Sequence, residues 1–349
     1  MSPILLLTGF AIGIAFGIVG LLSGFCLLSS LRDWWLSNDG RKIRSYAVAL
    51  AVAIVGTQFI AEAGLVNIGK SIYLQPSFSA PLIFFGGLLF GLGMVLSNGC
   101  ASRALVLLGK GNIRSLVVLV IIGVTAQMTL KGLIAPARLG ILQWTQWTPS
   151  AISAPAIFSA LGFSESVARV AATLIAMSAL FVFAFSDRRF RSSYGHIAAG
   201  AAVGCLVVAG WLATGWLAAD DFNPVPVTSL TFISPIADAL QYSMFSTGLN
   251  LNFGIVLFAG VLIGSAATSL LTGRFQLEGY TSVSHTARSI AGAALMGSGG
   301  AMAYGCSIGQ GLTGLSTLAI PSLIGVAGIV TGAALGIRRI VVVPAFATR

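Results

Sequence analysis

Nine apolar stretches, each about long enough to cross a bilayer, constrain this chain more than any other feature. They fall at 3–24, 45–66, 81–97, 115–135, 166–186, 196–217, 253–272, 287–304 and 322–339, each bounded by polar, charged, Gly or Pro residues. A hydrocarbon core about 30 Å thick takes roughly 20 residues of helix. Within it only helices and closed barrels satisfy every backbone N–H and C=O. The expected fold class is therefore all-α, a polytopic membrane protein with about nine transmembrane helices. Composition agrees, since 56% hydrophobic against 8% charged residues would leave a soluble globule of 349 residues with an insoluble surface. The first stretch has no basic leader ahead of it and reads as part of the mature protein rather than as a cleaved signal peptide.

Basic residues near span ends stay on the cytoplasmic side. With the N-terminus outside, Arg32, Arg41, Lys42, Arg44, Arg103, Lys110, Arg114, Arg188, Arg189, Arg191, Arg274, Arg288, Arg338, Arg339 and Arg349 fall inside, and only Lys70, Lys131, Arg138 and Arg169 fall outside. The loop holding Asp220, Asp221 and Asp238 then lies outside, and the C-terminus is cytoplasmic. The net charge of +10 follows from this topology, with membrane lipid headgroups as the anionic partner and no role for nucleic acid.

An internal repeat is the strongest signal of organisation. GGLLFGLGMVLSNGCASRALVLLGKGN from Gly86 aligns without a gap with GAALMGSGGAMAYGCSIGQGLTGLSTL from Gly292, superposing Gly99-Cys100 on Gly305-Cys306. A second similarity, LLSGF at 21–25 against LLTGRF at 270–275, lies upstream, and on that alignment the first half carries an extra segment containing the span 45–66. An extra crossing turns the span at 81–97 inward and its counterpart at 287–304 outward. The chain thus reads as a single membrane domain over 1–349: repeat half one over about 1–140, linking spans over about 141–250, and repeat half two over about 251–349. An inverted-type repeat of this kind places a substrate site near the midplane, where helices are commonly broken.

Each motif carries the residues of such a break. Asn98-Gly99-Cys100 and Tyr304-Gly305-Cys306 follow Gly-rich helices that allow close packing, and Gly99 and Gly305 are expected to end or kink them. The following ASRALVLLG and SIGQGLTGLS are apolar but too short to span, so re-entrant short helices are expected at the Gly-Cys motifs. Half-helices starting at the cysteines would aim backbone N–H groups and thiols at one place, which favours an anion. A neutral S–H donates weakly and does not trap the anion as a fixed charge would. Gln310 and Arg103 lie on the first turns after the cysteines and are candidates to face the same cavity; for Arg103 a cytoplasmic anchor competes. Glu62, late in an apolar run, reads either as a residue snorkelling to the interface or as part of a substrate or proton route. Cys205, in GAAVGCLVVAG, reads as small apolar filler.

Cys26 in SGFC, together with SNGCASRALVLLGKGNIRSLVVLV, WLATGWLAADDFNPVPVTSLTFISP and GAALMGSGGAMAYGCSIGQGLTGLS, closely resembles the YeeE/YedE family of membrane proteins. The resemblance covers nearly the whole chain. It implies uptake of thiosulfate or a similar small sulfur-containing anion across a bacterial cytoplasmic (inner) membrane, through an hourglass-shaped protein with loops dipping in from both faces. It further implies a relay of thiols at Cys26, Cys100 and Cys306 that passes the anion by S–H to sulfur hydrogen bonds, with a cytoplasmic sulfur-carrier protein as possible receiver. One form of the family's first motif has Pro and Gly after Gly-Cys, where this chain has Ala101-Ser102-Arg103. A selenium compound is accordingly an alternative cargo.

The competing class is an enzyme, a membrane thiol oxidoreductase or sulfurtransferase using the same cysteines. Such enzymes pair two thiols or set a base beside one. No C-x-x-C occurs, and His196 and His285 are the only histidines. Neither a resident cofactor nor a metal site is expected, since soft-metal sites need several converging Cys or His ligands.

Overall fold

The computed structural model describes residues 3–218, 225–280 and 282–338. Arg339, Arg349, Asp220 and Asp221, used above to orient the chain, lie outside the described residues. Within them the chain is helical with no β-strand. The helices are α1 (Pro3–Ser23), α2 (Leu27–Ser37), α3 (Arg41–Glu62), α4 (Ala80–Leu96), α5 (Ala101–Gly109), α6 (Ile113–Leu130), α7 (Ala135–Trp144), α8 (Ala154–Ala160), α9 (Glu165–Phe185), α10 (Arg188–Arg191), α11 (Tyr194–Leu212), α12 (Ile233–Met244), α13 (Phe253–Leu271), α14 (Val283–Met302) and α15 (Ile320–Gly336). Short polar side chains start several of them. Ser79 accepts from Leu82 N–H, Asn112 from Ser115 N–H, Asn252 from Ile255 N–H and Ser282 from His285 N–H, each satisfying one of the orphan donors of a first turn.

All nine apolar stretches coincide with helices. Among the described residues, seven helical segments are long and apolar enough to cross a membrane by length and composition. Of the other two, α14 is long but diluted by Ser, Gly and Arg, and α15 is apolar but only 17 residues long. The chain is a multi-pass membrane protein. Helices α2, α5 and α12, of 11, 9 and 12 residues, are too short to cross at 1.5 Å per residue.

The long helices pack in pairs. Glycines at 9, 13 and 17 of α1 meet successive turns of α13 from Phe253 to Ser265, so these helices run parallel. Helices α3 and α11 likewise run parallel, with Ser45 beside Gly200 and Gly56 beside Val208. Helix α4 runs parallel to α15, and α6 packs on α14. At the centre α4 and α14 are antiparallel, Gly86 lying against Gly299 and Gly93 against Gly292. In lipid the apolar exterior gives helices no reason to associate, so packing depends on backbones approaching closely through small residues. Gly91 shows how close: a Cβ there would sit 2.2 Å from Ile329 O on α15.

The basic end of the molecule is knitted by ion pairs, Lys42 Nζ to Asp33 Oδ2 at 2.6 Å, Arg41 Nη2 to Asp39 Oδ2 at 2.7 Å and Lys110 Nζ to Glu278 Oε1 at 3.6 Å. The opposite end carries Arg169, paired with Glu62 at 2.9 Å and Glu165 at 3.1 Å.

Gly91→Leu is expected to force α4 and α15 apart, an overpacking cost of about 1–3 kcal/mol or more, and to lower the melting temperature of purified protein in detergent by several degrees. Gly140, on α7 with nothing within 4 Å of a built Cβ, is the control, and Gly140→Ala should leave that temperature unchanged or slightly raised.

Candidate functional site

Three of the four cysteines are buried, and each follows an interruption of a helix. Helix α1 ends in a left-handed residue, Gly24 (φ 64°), two residues before Cys26, which precedes α2. Helix α4 ends in left-handed Asn98 (φ 56°), two residues before Cys100, which precedes α5. Helix α14 ends in left-handed Tyr304 (φ 56°), two residues before Cys306, which leads into a π-helical turn, Gly309–Gly314. At the two Gly-Cys motifs the closing hydrogen bonds match, Gly99 N–H to Met94 O at 3.0 Å and Gly305 N–H to Gly300 O at 2.9 Å. This is the six-to-one bond of a helix closed by a left-handed residue.

The break therefore sits one residue earlier than Gly99 and Gly305 were expected to put it. Asn tolerates the left-handed region, whereas a Tyr there is strained and must be held by its surroundings. What Gly305 supplies is room, since a Cβ would meet Gln310 N at 3.2 Å.

Cys26 Sγ and Cys100 Sγ lie 3.6 Å apart, close enough for an S–H to sulfur hydrogen bond, and Cys100 Sγ is 3.3 Å from Ser102 Oγ. Cys306 Sγ accepts from Gly309 N–H at 3.3 Å. Tyr46, on the first turns of α3, links the two groups. Its ring stacks on Phe25, next to Cys26, with centroids 5.5 Å apart, and its hydroxyl donates to Ser307 O, next to Cys306, at 2.5 Å. No group of three or more Cys, His, Asp or Glu among the described residues forms a metal-binding cluster.

Two cavities approach this core from opposite ends. One of about 730 Å³ at the Arg169 end is lined by Gln58, Asn67, Leu74, Ser153, Arg169 and Thr317 among others. One of about 330 Å³ at the basic end reaches Asn98 and Gly99 and is lined further by Asn112, Arg114, Glu278 and His285.

A family model described as sulphur transport matches residues 22–335. The chain belongs to this sulphur transport family, the YeeE/YedE family. It is 26% identical over 94% of its length, and 92% of the relative's, to the thiosulfate transporter TsuA of Escherichia coli (strain K12). It is 25% identical over 90% of its length, and 93% of the relative's, to the thiosulfate transporter TsuA of Spirochaeta thermophila. A shorter match, 28% identical over 25% of the chain and 20% of the relative, is to the probable transporter YedE of Salmonella typhimurium.

The remaining candidates in this sulphur transport chain divide by position. Gln310 is buried beside Cys306; its amide nitrogen donates to Ala303 O, capping α14, and its Oε1 has no hydrogen-bond partner among the described residues. Arg103 is half-buried, its Nη1 donating to Gly20 O at 3.4 Å at the end of α1. The guanidinium thus lies beside the Gly24–Cys26 turn. Asn98 is exposed and accepts from Arg32 Nη1 at 3.2 Å. Glu62 lies away from the cysteines, in its ion pair with Arg169. Cys205 is exposed and lines an apolar groove between α3, α9 and α11. Tyr46 and the pairing of Cys26 with Cys100 were not legible in the sequence, because contacts 74 residues apart and a lone Tyr in an apolar run leave no local pattern.

In a Cys205→Ala background, a small oxidant such as diamide should join Cys26 to Cys100, detected as a disulfide-linked peptide pair by mass spectrometry. A product dominated by bridges to Cys306 would contradict this geometry.

Proposed function

We propose that the chain imports thiosulfate or a similar small sulfur-containing anion through a bacterial inner membrane, along a path lined by Cys306 and then by Cys100 and Cys26. The observation that carries this reading is the series of buried thiols between two cavities that open at opposite ends. The anion is that of the two thiosulfate transporters to which the chain is similar over nine-tenths of its length.

The chemistry fits a doubly charged anion in low dielectric. Stripping its water costs more than a few weak contacts return, so donors must stay within reach along the way. Thiols and backbone N–H groups do this without fixed positive charge. Arg103, beside Cys26, adds one cation near the inner thiol pair, from which the anion leaves through the cavity beyond Gly99, lined by Asn98, Asn112, Arg114 and Glu278.

The contacts also support an inverted repeat of broader extent than the Gly-Cys alignment. The α1–α13 pair is mirrored by α11–α3, and the α4–α15 pair by α14–α6. On this reading α1 to α6 repeat as α11 to α15 with the π-helical turn standing for α5. Helix α13 is then the counterpart of α3, so the second half lacks no span, and the 21–25 and 270–275 similarity is not a repeat equivalence. The single linking span α9 produces the inversion. Four spans, one link and four spans give nine crossings with the N-terminus outside, and α2, α5, α12 and the π-helical turn dip in from the two faces. A cytoplasmic sulfur-carrier protein as receiver rests on the family resemblance alone.

One observation favours a second reading. The 3.6 Å approach of Cys26 to Cys100 is a dithiol in space, as a thiol oxidoreductase or sulfurtransferase would need. The two readings part on the product: a transporter delivers intact thiosulfate, an enzyme splits or oxidises it.

In cells lacking other sulfur importers, Cys306→Ala and Cys100→Ala should each cut uptake of labelled thiosulfate by on the order of tenfold or more, the scale of losing a donor to a charged group, with membrane levels unchanged. Cys205→Ala should have no effect. Normal uptake in both site variants would exclude the thiol path, and recovery of label only as sulfite or sulfide would favour the enzyme.

A further inference from the structure

The 3₁₀ turn Ile72–Leu74, between α3 and α4, carries Tyr73 into the protein interior. Its side chain is 2% exposed, and its ring packs edge-on against fully buried Trp211, with centroids 6.4 Å apart and planes at 78°. Trp211 is itself fixed, its Nε1 donating to Ser316 Oγ at 3.2 Å. A buried Tyr hydroxyl normally finds a partner. That of Tyr73 has none among the described residues.

The hydroxyl is aimed at the turn after Cys306. It lies 3.5 Å from where a side chain would begin at Gly309, the residue whose N–H donates to Cys306 Sγ. A methyl at Gly309 would come within 2.7 Å of Thr231 Oγ1, so glycine keeps this corner open to small polar groups. Ser307 adds a second buried hydroxyl without a partner among the described residues. Tyr46, by contrast, has its hydroxyl engaged by Ser307 O. The residue after Tyr73, Leu74, lines the cavity at the Arg169 end, which puts the Tyr73 turn between that cavity and the turn after Cys306.

We infer that Tyr73 is a specificity-determining residue, its hydroxyl donating to an oxygen of the anion's sulfonate end while Cys306 faces the terminal sulfur. The inference rests on the transport reading above and deepens it: the site selects an anion with sulfur at one end and oxygens at the other. Hydrosulfide, which lacks the oxygens, gains nothing from Tyr73.

The test is Tyr73→Phe in the full chain, with uptake of labelled thiosulfate measured over a range of concentrations and unlabelled hydrosulfide and sulfite as competitors. Removing a buried hydroxyl that has no partner leaves folding unharmed or improved, so membrane level and melting temperature should match wild type. The expected result is a KM for thiosulfate raised about tenfold, weaker competition by sulfite, and unchanged competition by hydrosulfide. An unchanged KM overturns the inference, and so does a fall in maximal rate alone, which a structural role would produce. Loss of uptake in Cys306→Ala beside an unchanged KM in Tyr73→Phe would sink the Tyr73 assignment and leave the transport reading standing. Absence of thiosulfate uptake by wild type would remove both.

Discussion

A helix interrupted inside a membrane leaves carbonyls and N–H groups with no water to take them, and every such group must be satisfied by protein. This constraint organises the centre of the molecule. Arg103 reaches back to Gly20 O at the end of α1, Gln310 to Ala303 O at the end of α14, Tyr46 to Ser307 O, Gln58 to Ser316 O at 2.9 Å and Thr313 to Leu230 O at 2.6 Å. These side chains come from both halves of the sequence. The polar groups that make the breaks tolerable therefore also tie the halves together.

The breaks are useful because of what they leave over. Once the carbonyls are covered, the interior among the described residues retains thiols, several unpartnered hydroxyls and the N–H groups of tight turns, beside one unpartnered acceptor, Gln310 Oε1. That inventory suits an anion that must be held briefly and released, with the half-buried Arg103 as the cation beside the inner thiol pair. The glycine-faced packing of α4 on α14 and α15 serves the same end. Backbones in near contact make a rigid frame, so small polar groups at the breaks keep their spacing.

Much of this was legible in the sequence and some was not. Apolar length alone located every long helix, because bilayer thickness sets a scale that sequence must match. The gapless Gly-Cys alignment marked two breaks with the same left-handed closure, although it put the turn at Gly99 and Gly305 instead of at Asn98 and Tyr304. Glycine is the usual left-handed residue, and only the backbone geometry reveals that the turn falls one residue earlier, with Gly305 giving clearance to Gln310 N. LLSGF and LLTGRF end helices α1 and α13, which pack against each other, and the repeat proposed above pairs α1 with α11 and α13 with α3 instead. The contact of Cys26 with Cys100 and the aim of Tyr73 are products of tertiary folding, and nothing in local spacing announces them.

On the proposed function, this polypeptide by itself moves a thiosulfate-like anion through the bilayer. Purified protein in sealed lipid vesicles, loaded with unlabelled thiosulfate and exposed to a trace of labelled thiosulfate outside, tests it most directly. Transient accumulation of intact label by exchange, absent from protein-free vesicles, is the expected result. Label that stays outside, or arrives only as a cleaved product, would contradict it.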